Sequence, residues 1–240
     1  MPPQGFDQTL SRFGLENLKG IDLQVTKGGD IALTRDGDLQ LGNFRANGMF
    51  RFIERWRWSE SAITQLFMPM VQSANKLDSL ETAREQGQAP LLWENPQAYH
   101  EATDYIVELQ LVSSTLAGAI AVILNNLFQR LKRDLNTSDE EWHLTTPTFA
   151  GFSIGEIFSA AATNFRHYDE WASAKTPSPK HLASMKVLCG VLNKPVQTEK
   201  GFPTIRANKC GSVLMLLTGG SIETLHQLTV GYAKSLAKYK

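Results

Sequence analysis

The sequence predicts a mainly α-helical fold: a helical bundle around a long central helix, with a small N-terminal antiparallel β-meander (α+β). Three observations carry this. Residues 109–129, LQLVSSTLAGAIAVILNNLFQ, hold no charge and lie inside a much longer helical pattern. Residues 20–42 alternate apolar and polar with a period of two, which is the spacing of a strand. Most of the remaining chain repeats apolar residues every three or four positions, the spacing of a half-buried helix. Residues 1–44 are expected to form the meander packed on the helices, and residues 45–240 the helical domain, together as one compact unit.

Each element has a local cause. Ile21, Leu23 and Val25 alternate with Asp22, Gln24 and Thr26, and Gly28-Gly29 and Asp36-Gly37 supply turns into Ile31, Leu33, Leu39 and Leu41. Three short strands need a covering layer, so their apolar face should lie on the helices. Met49, Phe50, Ile53 and Trp56 then begin a helix, and Ser59 is placed to cap a second, kinked at Pro69. Asn95-Pro96 starts the central rod, which ends near Leu135; Tyr105, Leu109, Val112, Leu116, Ile120, Leu127 and Leu131 keep one stripe along it. Residues 137–152 read as a polar connection with one helical turn near Glu140. Helices are expected over about 153–173, from Ser178-Pro179 to near Asn193, and from Ser221 onward, with a short buried run at 213–217 of undecided type.

Composition excludes several classes. At 240 residues, 42% hydrophobic and 20% charged, the chain has the make-up of a folded soluble protein. Two cysteines, Cys189 and Cys210, suit a reducing, cytoplasmic compartment, and the N-terminus shows no secretory pattern. The charge-free run is long enough to span a bilayer. Gln110, Ser113, Ser114, Thr115, Asn125 and Asn126 favour a rod buried in protein instead, and no membrane partner is expected. The net charge of zero is a cancellation: residues 175–240 carry ten Lys or Arg against Glu199 and Glu223. Such asymmetry predicts a basic face for an acidic partner, or attraction between the two parts of the fold.

Among candidate sites, ATNFRHYDEW at 162–171 stands first. On a regular helix Ile154, Ile157, Phe158, Ala161, Phe165, Tyr168 and Ala172 face the core, while His167 lies outside with Glu170. Arg166, His167 and Glu170 are the catalytic candidates: a histidine near carboxylates titrates near neutrality, and an arginine can hold a phosphate. Asn164 and Trp171 border them as binding candidates, with Lys200, Arg206 and Lys209 from the basic loop. The plainer alternative pairs Arg166 with Glu170 on a solvated rim. FRFIERWRW at 50–58 interleaves aromatic and basic residues as a base-stacking platform would, although helical spacing favours core. Asp30, Asp36 and Asp38 are turn residues; they lack the ligand set of a calcium loop. With His100, His143, His181 and His226 scattered and no paired-histidine motif, neither a metal nor a cofactor is expected.

A helical bundle with Arg166 and His167 on a late helix beside a basic region resembles the HEPN family of nucleases and defence toxins. That resemblance implies metal-independent RNA cleavage and a bacterial, phage-defence setting. The family pattern places His four to six residues after Arg; here His167 follows Arg166 directly, and positions 170–172 are Glu, Trp and Ala. GDIALTRDGDLQL is similar to hairpins in phage baseplate proteins. Two functions follow as expectations: a non-catalytic intracellular protein whose basic C-terminal third engages an acidic protein or nucleic acid such as RNA, or a HEPN-like metal-independent ribonuclease or phage-defence effector using Arg166 and His167. The sequence leaves the oligomeric state open.

Overall fold

The computed structural model describes residues 6–16, 26–33, 37, 39–40, 44–173, 177–198, 201 and 203–238. It is mainly helical. The helices are α1 (Phe6–Arg12), α2 (Phe44–Glu85), α3 (Pro96–Asp134), α4 (Asp139–Leu144), α5 (Ile154–Ser173), α6 (Pro179–Val191), α7 (Cys210–Thr218) and α8 (Ile222–Leu236). A two-stranded antiparallel sheet, β1 (Thr148–Phe149) with β2 (Phe152–Ser153), precedes α5. The chain divides into two compact units: unit 1 is Met1–Ala62, Ile123–Glu156 and His226–Lys240, and unit 2 is Ile63–Val122 and Ile157–Leu225.

The expected starts of helices hold where a side chain caps them. Asn95 Oδ1 accepts from the Ala98 N–H at 3.1 Å, ahead of Pro96 at the first helical position. Ser153 and Glu156 form a reciprocal capping box at the start of α5. Ser178 accepts from the His181 N–H and so opens α6. The undecided run at 213–217 lies within α7, which Gly219 ends in the left-handed region, its N–H donating to Met215 O at 2.8 Å.

Ser59 does not cap a second helix. Its hydroxyl donates back to Arg55 O at 3.0 Å, and α2 continues unbroken through it and through Pro69. A serine bonded to the carbonyl four residues earlier leaves the helical ladder intact, so its presence alone is no start signal. Within 137–152 the helical turn is α4, and the hairpin of β1 and β2 follows it. Ala150 and Gly151 both take positive φ, 51° and 83°, as a tight two-residue hairpin turn demands.

The meander is only partly within the described residues; Ile21, Leu23, Val25, Asp36, Asp38 and Leu41 lie outside them. Thr26 and Asp30 close the first turn, with Gly29 at φ 87°, and Leu33 bridges Leu39 in antiparallel fashion. Among the described residues of the meander, Ile31, Leu33 and Leu39 are 52%, 58% and 52% exposed.

The central rod also differs from expectation. Leu109, Ala117, Ile120, Leu124, Leu127 and Phe128 are buried, but Val107 and Leu111 are exposed, as are Gln110, Thr115 and Asn126. By length and composition α3 could cross a membrane, and 33% of its most apolar window is buried. The rod is therefore covered along one side rather than nearly all round. Of its polar residues, Gln110, Thr115 and Asn126 are exposed, whereas Ser113 and Asn125 are buried.

FRFIERWRW is core on one side of α2. Phe52 and Trp56 are fully buried, whereas Trp58 is exposed, so the aromatics form no continuous stacking platform. In unit 1 Phe52 stacks on Phe128 with centroids 6.0 Å apart, and Tyr232 meets both Phe128 and Trp142 edge-on.

Candidate functional site

The candidate site lies in unit 2, at the C-terminal part of α5 and the first turn of α6. The helix α5 is not regular. His167 has φ −135° and ψ 16°, outside helical values, and breaks the helix at that residue. The break explains why Tyr168, expected in the apolar stripe, is exposed while Trp171 is fully buried. It also moves His167 off the solvated face to a half-buried position.

His167 Nδ1 lies 2.8 Å from Glu170 Oε1. His181, from α6, places Nε2 4.0 Å from Glu170 Oε2, and the two imidazole centroids are 5.1 Å apart. Trp171 lies against His181 with ring centroids 6.0 Å apart. The Ser178 cap fixes the first turn of α6 and so the position of His181. Two imidazoles and one carboxylate thus converge from two helices, with the His167 side chain 38% exposed, Glu170 56% and His181 19%.

The sequence candidates separate. His167 and Glu170 come together; Arg166 is exposed, and the Glu170 carboxylate is engaged by the histidines instead of forming the expected rim pair with it. Asn164 is fully buried and acts as an internal strut. Its amide donates to Ala207 O at 3.3 Å, and its Oδ1 accepts from the Lys209 N–H at 2.8 Å. Trp171 is buried with its indole Nε1 lacking a hydrogen-bond partner. Neither residue offers surface to a macromolecule.

Sequence reasoning missed His181. It comes from α6, a different helix from the one that carries His167 and Glu170, so spacing along one helix could not reveal it.

The basic loop leads into α7. Lys200 lies outside the described residues; Lys194 and Arg206 are exposed, and Lys209 is partly buried at the N-cap of α7. Burial lowers the pKa of the Lys209 ammonium, the positive charge of Lys194 lowers it further, and Glu81 opposes both. Cys210 is the first residue of α7, and a helix N-terminus favours the thiolate. Burial wins: its pKa is pushed up to about 12, and its Sγ donates to Ala161 O at 3.2 Å. Cys189 is likewise buried, its pKa raised by burial, and both cysteines are free. No family model, curated protein or solved structure matches this chain.

Proposed function

We propose that the chain is a non-catalytic interaction protein that engages RNA through the basic surface around Lys194, Arg206 and Lys209. The observation that supports this reading is that Lys194 and Arg206 are exposed and that Lys209, partly buried at the N-cap of α7, lies within reach of the charges of Lys194 and Glu81. Phosphates engaged by these cations release the counterions of the nucleic acid. A cytoplasmic setting suits two free, buried cysteines.

Measuring RNA affinity against salt tests the reading. Affinity should fall steeply as salt rises, and the Lys194→Ala, Lys209→Ala double variant should flatten the slope by about two counterions. Binding without salt dependence, or unchanged in the double variant, overturns it; binding to acidic peptide alone makes the partner a protein.

A second reading, RNA cleavage without a metal, is favoured by the two adjacent imidazoles, which could serve as acid and base beside Glu170. Wild type should then degrade bulk RNA in the presence of a chelator and His167→Ala should not. Equal, absent cleavage in both removes it.

A further inference from the structure

We propose that His167, Glu170 and His181 form a binding site for a divalent transition metal of the zinc class. Among the described residues they are the group whose His, Cys or carboxylate ligand atoms gather within 4.8 Å of one another. A four-coordinate ion with bonds of about 2.0–2.1 Å needs its ligands roughly 3.3 Å apart. His167 Nδ1 and Glu170 Oε1, at 2.8 Å, are already closer than that, and His181 Nε2 must move inward by rotation of its side chain.

The donor set selects the metal. Two imidazole nitrogens and one carboxylate oxygen suit zinc, cobalt or nickel; magnesium and calcium prefer oxygen alone. One carboxylate and two neutral imidazoles offset half the charge of a dication and leave a fourth position for water or a ligand. The surroundings agree with a built site. The break in α5 falls at one ligand, the capped first turn of α6 carries another, and buried Trp171 backs His181 on its apolar side.

This inference does not rest on the RNA-binding reading, and it competes with metal-free cleavage for the same imidazoles. Titration of zinc into the full chain, followed by calorimetry, tests it. Wild type should bind one ion per chain; His181→Ala and Glu170→Gln should each weaken binding at least about tenfold, while His100→Ala binds as wild type. Far-UV circular dichroism checks that helix content is retained. If His181→Ala loses helix content, Glu170→Gln, at an exposed position, decides by the same comparison. Absence of zinc binding in wild type, or equal binding in Glu170→Gln, overturns the proposal.

Discussion

The two units treat their charged side chains differently. Unit 1 spends them on the fold. Asp134 sits between Arg51 and Arg55, with oxygen–nitrogen distances of 3.4 and 2.6 Å, and all three are buried or nearly so. Lys132 pairs with Asp139 at 2.5 Å, Lys238 with Glu141 at 2.7 Å, and His143 with Glu156 at 2.6 Å. Unit 2 places its carboxylate Glu170, half exposed, beside two imidazoles, and the charge of Lys194 acts on partly buried Lys209. Titratable groups gathered where solvent reaches them leave capacity for a ligand, which is the reason to seek function in unit 2.

This contrast can be broken at either end. The largest effect is expected from Asp134→Ala, which removes the carboxylate shared by two buried arginines; chemical denaturation should show a loss of about 3–5 kcal/mol. A loss below 1 kcal/mol would mean water reaches that cluster and the pairing is not structural.

Gly118→Ala sharpens the comparison by testing the interior of unit 2. A methyl group there would lie 2.0 Å from the Phe165 ring, and an expected loss of about 1–3 kcal/mol reports tight packing between α3 and α5. Ser138→Ala removes the hydroxyl that accepts from the Glu141 N–H and dissolves the capping box of α4, for about 1 kcal/mol. The smallest change belongs to the site itself. Glu170→Gln should alter stability by less than about 0.5 kcal/mol, because the side chain is exposed and its partners are not needed to close the core. A loss comparable to that of Asp134→Ala would make the cluster a structural ion pair, like those of unit 1.

Much of this architecture was legible in the sequence where a single residue decides a local event. Asn95 before Pro96 and Ser178 before Pro179 each mark a helix start because the capping oxygen acts within three residues. Long-range outcomes were not. Nothing local to Ser59 says whether its hydroxyl will cap forward or bond backward, and Ala150-Gly151 is a weak turn signal beside Asn-Gly. At the site, His167 and Glu170 were found because they share a helix. Its third member comes from α6, and its approach depends on the break at His167 that no spacing rule foresees.

The candidate site exists only if His167 and His181 approach one another. A through-space NMR measurement between their assigned imidazole ring protons tests it directly. The two rings, with centroids 5.1 Å apart, should give a cross-peak in the wild type that disappears in His181→Ala. Assigned rings without such a cross-peak would place the histidines apart and contradict the site.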